Sequence, residues 1–226
     1  MLVRIKRQTA PKQEPYWQTF EYKWNGNDNA TVVTVLNALN YTDDLYDIEG
    51  KEASRIRWEC SCMQGVCGGC AMVINNTPAL ACNTFLKDIK GELVLEPLTK
   101  FPVVADLIVD RNIIYENLNK AKLYLDRESQ INNENNSHQY SIAKCLKCGL
   151  CLEVCPNYSY GSDFFGPVFA NDSYMIYNSQ TKDRKHIAKT YKKHFAAHCS
   201  KALSCQTVCP MKIETLTSIL KMNKAK

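Results

Sequence analysis

Along the first hundred residues, apolar and polar side chains alternate in short bursts, the period-two signature of strands with one face on a core. Residues 2–7 and 17–22 follow it, 72–74 and 80–82 flank the turn-prone pair Asn75-Asn76, and 92–96 supply another strand. Between them Thr31 is placed to cap a helix whose apolar positions Val32, Val33, Leu36 and Leu39 recur at helical spacing. One helix laid across a short mixed sheet is the β-grasp pattern. Beyond Pro102 the period lengthens. Residues 104–125 read as a helix, and the polar stretch 129–139 reads as a loop or mobile linker. From Ser141 onward, short helical segments carry cysteines, and Ile213, Leu216, Ile219 and Leu220 give the last helix an apolar face. The expected class is α+β, with a β-grasp domain over 1–103 and an all-α domain over 104–226.

At 226 residues and 45% hydrophobic the chain can bury two such cores. No apolar run approaches the roughly 20 residues of a membrane helix, and the N-terminal residues 1–7 lack the apolar centre of a secretory signal. The expectation is a cytosolic chain that does not span a bilayer and whose cysteines stay reduced as ligands rather than forming disulfides.

All but one of the twelve cysteines fall into three spacings: Cys62-x4-Cys67-x2-Cys70-x11-Cys82, Cys145-x2-Cys148-x2-Cys151-x3-Cys155-Pro156, and Cys199-x5-Cys205-x3-Cys209-Pro210. Thiolate is the soft donor that iron-sulfur clusters take, and CxxCxxCxxxCP is the bacterial ferredoxin run whose fourth cysteine serves the neighbouring cluster. The pairing follows. Cys145, Cys148, Cys151 and Cys209 make a four-thiolate 4Fe-4S site, whereas Cys155, Cys199 and Cys205 make a site whose missing corner falls at Ala202. Three thiolates suit a 3Fe-4S cluster. A helical turn from Cys151 to Cys155 would span about 6 Å of rise, so these two clusters are expected to be neighbours. Cys62, Cys67, Cys70 and Cys82 are spaced like plant-type 2Fe-2S ligands with a shorter final gap, and Gly65, Gly68 and Gly69 let their loop curl.

Structural zinc is the rival for any CxxC pair, but these ligands do not divide into complete four-cysteine sites. Cys60 is left over, and His138, His186, His194 and His198 show no ligand pairing. Neither GxGxxG after a strand nor GxxxxGK[ST] occurs, and no nucleophile and base stand together, so no catalytic residue is expected on this chain. The formal charge of +5 invites a nucleic-acid partner. Three oxidised clusters at about −2 each would bring it to about −1. The basic group Lys182, Arg184, Lys185, Lys189, Lys192 and Lys193 reads as a solvated helix face, and no nucleic acid is expected.

With the cysteines, the stretches Ser61-Cys62-Met63-Gln64-Gly65-Val66-Cys67-Gly68-Gly69-Cys70, Glu96-Pro97-Leu98-Thr99-Lys100-Phe101-Pro102-Val103-Val104-Ala105-Asp106-Leu107 and Phe165-Gly166-Pro167 give a resemblance over nearly the whole chain. It resembles the iron-sulfur subunit of succinate dehydrogenase and fumarate reductase, the respiratory complex II family. The resemblance implies a flavoprotein subunit whose FAD lies nearest the 2Fe-2S cluster, and membrane-anchor subunits that complete a quinone site nearest the three-iron cluster. It also implies a peripheral position on the cytoplasmic face of the cell membrane. Ubiquinone-linked members resemble Cys-Pro-Ser followed by tryptophan, where this chain has Cys155-Pro156-Asn157-Tyr158-Ser159-Tyr160. Pro156 carries over, Tyr160 stands in the tryptophan's place as a quinone-proximal position, and Ser200 stands where some members have histidine. The sequence leaves open whether the same relay serves a different, soluble flavoprotein.

Overall fold

A computed structural model describes residues 1–125, 128, 136–179 and 183–225. Strands β1 (Leu2–Arg7), β2 (Tyr16–Glu21), β3 (Ala71–Ile74), β4 (Thr77–Leu80) and β5 (Leu93–Glu96) form one sheet in the order β2-β1-β5-β3-β4. β1 runs parallel to β5, while its pairing with β2 and the pairings of β3 with β4 and β5 are antiparallel. This mixed order is that of a β-grasp sheet. Helix α1 (Val32–Asn40) begins where Thr34 Oγ1 accepts the Thr31 N–H at 3.0 Å. It buries Val32, Val33, Val35, Leu36 and Leu39, each contributing about 1.5–3 kcal/mol when fully buried.

Alternation in β1 puts Val3 and Ile5 in the core and, on the same face, Arg7. A buried guanidinium needs partners. Arg7 pairs with Asp106 at 3.0 Å, with side chains 1% and 2% exposed, and donates to Gln18 Oε1 and to the Ser54 and Arg55 carbonyls. Asp106 sits in the left-handed region (φ 45°) between two short strands, β6 (Val103–Ala105) and β7 (Ile108–Val109). Its carboxylate accepts the N–H groups of Gln8 and Arg57.

That hairpin corrects the helix expected from residue 104. The run Val103 to Val109 is apolar apart from Asp106 and rich in β-branched residues, and the turn at Asp106 is held by partners distant in sequence; the helix α2 starts only at Asn112 and ends at Lys120. The chain forms two compact units, Met1–Asp110 and Arg111–Lys226. Residues 81–82, expected as strand, lie in a 3₁₀ turn, Ala81–Asn83.

From Arg111 on, every described regular element is helical: after α2 come α3 (Asn136–Ala143), α4 (Leu150–Glu153), α5 (Gly166–Asn178), α6 (Arg184–Tyr191), a π turn (Lys192–Ala196), α7 (Ser204–Thr207) and α8 (Thr215–Met222). The expected linker at 129–135 lies outside the described residues, while Asn136 to Gln139 already belong to α3. Helix α5 is buried continuously from Gly166 to Tyr174, as a helix packed on all sides must be. Helices α2, α3, α4, α6 and α8 all pack on it. Arg184, Lys185, Lys189, Lys192 and Lys193 are exposed. Among the described residues no helix is long and apolar enough to cross a membrane.

Candidate metal centres

The first cysteine set is assembled by one hairpin and one loop. Asn75 and Asn76, at φ 44° and 62°, form the two-residue turn joining β3 to β4, so that Ala71 faces Leu80 and the Ala81 N–H reaches the Cys70 carbonyl at 3.0 Å. Cys70 and Cys82 thereby meet, Sγ to Sγ at 3.3 Å. The short final gap noted in the sequence is thus the length of this hairpin. Upstream, the chain entering the loop is pinned by Asn40, whose amide donates to the Ile56 carbonyl and accepts the Ile56 N–H, both at 2.8 Å. The loop then curls through Met63 (φ 55°), Gly65 (φ 75°) and Gly68 (φ 78°). A Cβ at Gly65 would lie 2.4 Å from Nδ2 of Asn83, an exposed side chain that can shift, so it is the positive φ that calls for glycine there.

The curl turns the Gln64 and Val66 N–H groups onto Cys62 Sγ, each at 3.4 Å. Those hydrogen bonds bring the Cys62 thiol down to about 7. Burial pushes Cys70 up to about 11. An all-sulfur donor set with N–H groups aimed at sulfur fits a 2Fe-2S cluster. Cys60, half-buried, has its pKa raised by burial although a Met63 N–H opposes this.

The second and third runs share a local backbone pattern. Helix α4 follows Cys148 just as α7 follows Ala202, and the flanking pairs Lys147/Gly149 and Lys201/Leu203 all take positive φ, from 52° to 88°. Cys155 falls just past α4 rather than on it, its N–H bonded to the Leu152 carbonyl at 3.2 Å. Each cavity draws on both repeats. Cys145, Cys148, Cys151 and Cys209 line one, walled by Ile114, Val168 and Ile213. Cys155, Cys199 and Cys205 line another together with Pro156 and Ala202. Cys205 borders both.

Burial raises the thiol pKa of Cys145, drives that of Cys151 well up, and pushes Cys148 and Cys205 up to about 11. Thiols held protonated in this way would become ligands only as a metal displaced their protons. Cys199 is set by the π turn: its N–H bonds the Phe195 carbonyl at 3.1 Å, while the His194 carbonyl is left to accept the Phe165 N–H at 3.0 Å. Tyr160 is 46% exposed and does not line the Cys155 cavity. Ser200 Oγ donates to Asn157 Oδ1 at 2.6 Å, tying the two runs beside that cavity.

Sequence reasoning missed two groups. Asn83 packs on Gly65, a contact signalled only by its place after Cys82. Lys147, between Cys145 and Cys148, is bound through Nζ to both oxygens of Asp172 on α5, at 2.7 and 2.6 Å; no local pattern joins them.

Residues 2–116 match the family described as a 2Fe-2S iron-sulfur cluster binding domain, and residues 141–213 the 4Fe-4S dicluster domain. The chain is 28% identical to the succinate dehydrogenase iron-sulfur subunit of Bacillus subtilis (strain 168), over 97% of this chain and 90% of that one. It is 30% identical to the fumarate reductase iron-sulfur subunit of Haemophilus influenzae, over 92% and 85%. In fold it is similar to a chain of the Mycobacterium smegmatis Sdh1 complex in the apo form, with a TM-score of 0.78 at 24% identity, covering 99% of this chain and 93% of that one. A 2Fe-2S domain followed by a 4Fe-4S domain, with similarity to these relatives over nearly the whole of this chain, makes it a member of the family of iron-sulfur subunits of succinate dehydrogenase and fumarate reductase.

Proposed function

We propose that this chain relays single electrons between the FAD of a partner flavoprotein and a quinone held with membrane-anchor subunits, in a succinate or fumarate oxidoreductase on the cytoplasmic face of the membrane. Three clusters would serve as its one-electron carriers: 2Fe-2S on Cys62, Cys67, Cys70 and Cys82, 4Fe-4S on Cys145, Cys148, Cys151 and Cys209, and 3Fe-4S on Cys155, Cys199 and Cys205. When bound, they supply potentials that the protein adjusts through hydrogen bonding and burial.

The observation that carries this reading is the exchange of fourth cysteines between the two repeats. Cys209 joins the first run's cavity and Cys155 the second's, with Cys205 on the wall of both. Ala202, which lines the second cavity, stands in the repeat where the first run has Cys148, and this supports a three-iron centre. The polypeptide's part is to hold the thiolates, aim N–H groups at sulfur and exclude water. The two-electron dicarboxylate chemistry is assigned to the partner flavoprotein. Pro156, beside the three-thiolate cavity, and Tyr160 are assigned to the quinone side.

Purification of the intact complex should give a flavoprotein copurifying with this chain, about nine iron atoms per chain, and succinate oxidation or fumarate reduction coupled to quinone. A colourless zinc protein, or a complex that handles neither dicarboxylate, would overturn the proposal.

A further inference from the structure

The four-thiolate cavity contains one polar side chain that its protein surroundings do not satisfy. Asn171, on α5, lines the cavity with Cys145, Cys148, Cys151 and Cys209 and is 5% exposed. Its Nδ2 donates to Thr215 Oγ1 at 3.1 Å, and its Oδ1 is buried without a hydrogen-bond partner. The Thr215 hydroxyl, 2% exposed, enters no other hydrogen bond among the described residues. Two buried groups are therefore left unmatched at once, a threonine donor and an amide acceptor.

A half-turn of the amide about its last bond resolves both. Carboxamide oxygen and nitrogen are nearly identical in shape, so their assignment is decided by hydrogen bonding. With the amide turned, the Thr215 hydroxyl donates to Oδ1, and the unmatched position holds Nδ2, a donor. That position belongs to a side chain lining the same cavity as the sulfurs of Cys145, Cys148, Cys151 and Cys209. A cluster there offers acceptors alone, thiolate and sulfide, so a buried acceptor facing it would be repelled while a donor would be matched.

We infer that Asn171, oriented by Thr215, donates a hydrogen bond to a sulfur of the four-iron centre and raises its reduction potential. The inference rests on the four-cysteine cage being a 4Fe-4S site. The added electron increases negative charge on sulfur, so a donor there favours the reduced state more than the oxidised one. Asn171 does not carry electrons; it is a positioning residue that acts through the cluster.

The test uses the intact complex carrying Asn171→Leu, which fills a similar volume without a donor, or Thr215→Val, which releases the amide from its orientation. The readout is the paramagnetic signal of each reduced or oxidised cluster during a redox titration, with iron and acid-labile sulfide measured on the same samples. Asn171→Leu should reduce the ratio of reduced to oxidised four-iron centre at a fixed ambient potential about tenfold, equivalent to a midpoint about 59 mV lower for a one-electron couple. Thr215→Val should shift it the same way by less, and the other two midpoints should stay. If Asn171→Leu fails to assemble, Thr215→Val alone decides. An unmoved four-iron midpoint at full iron content, or equal shifts in all three clusters, would overturn the inference. Wild-type complex without a cubane signal would instead sink the cage assignment beneath it.

Discussion

Replacing Asp172 by asparagine would leave the Lys147 ammonium buried without its anion, between two cysteines of the four-thiolate cage. In the native pair Nζ donates to both carboxylate oxygens, and the side chains are 19% and 6% exposed. Burial alone would lower the lysine pKa, but Asp172 and the Cys145 thiolate outweigh it and hold it above its ordinary value, so the charged form is resident. Removing one partner of a buried pair costs about 3–5 kcal/mol. Because part of the Lys147 side chain reaches solvent, the lower end applies, about 3 kcal/mol, or roughly a hundredfold in the population of the opened cage. Lys147→Met should be milder, since burial already pushes the Asp172 carboxyl upward and lets it neutralise itself by taking a proton. The double variant Lys147→Met/Asp172→Leu removes both charges and should return to within about 1 kcal/mol of wild type. The assay is the rate of cluster bleaching in guanidinium for the anaerobic complex, with iron content as control. Asp172→Asn bleaching at the wild-type rate, or a double variant no better than the two single effects combined, would refute the reasoning.

Ala202→Cys places a thiol at the missing corner and should raise iron from about nine to about ten atoms per chain while removing the oxidised three-iron signal; an unchanged signal would mean that the register of the second run is wrong. Gly166→Ala puts a Cβ 2.2 Å from Leu152 Cδ2 at φ +80°. The left-handed strain costs about 1–2 kcal/mol and the overpacking about 1–3 kcal/mol. Leu152 stands between Cys151 and Cys155, so a lower denaturation midpoint should come with distorted three- and four-iron signals, and a silent variant would count against the packing described. In the iron-free chain, Cys62 ionises at about 7 because two N–H groups stabilise its thiolate, whereas burial puts Cys148 and Cys205 at about 11. Iodoacetamide labelling of Cys62 should therefore rise as pH increases through about 7, with the other two unlabelled at pH about 9; equal labelling in peptide maps would contradict this.

What could be read in advance was what local chemistry decides. The alternation of β1 and the Asn75-Asn76 turn appear in the sequence because period and turn residues act over neighbouring positions. The expected pairing of thiolates comes from a ligand-exchange rule; one cavity is lined by Cys145, Cys148, Cys151, Cys205 and Cys209 and the other by Cys155, Cys199 and Cys205. The misreadings are tertiary. Val103 to Val109 fits a helix or a strand by pattern, and the choice is made by the Asp106 carboxylate holding the backbone of Gln8 and Arg57. Arg7 follows the apolar face of β1 and would have looked like a break in the pattern, yet it is among the most buried side chains because Asp106 meets it. Asn171 and Asp172 sit in the middle of α5 with nothing local to mark them, and their roles come from Thr215 on α8 and Lys147 in the first cysteine run.

The duplicated cysteine run also explains why the helical unit should fold and assemble its cofactors as one event. Its two short helices, α4 and α7, are only four residues each, far below the length at which a helix holds itself together in water. On the proposed assignment neither repeat completes a cage alone, and each cavity is lined by cysteines of both copies. Leu203 shows the constraint in a single residue. At the place where the first repeat has Gly149 at φ 88°, the second holds a leucine at φ 60°, a conformation costing about 1–2 kcal/mol for a side chain with a Cβ. The backbone there must bend to start α7 and bring Cys205 to the wall shared by both cavities. On the proposed ligand assignment that bend serves both cluster sites, and the free energy of cluster binding, coupled to folding, would offset the strain.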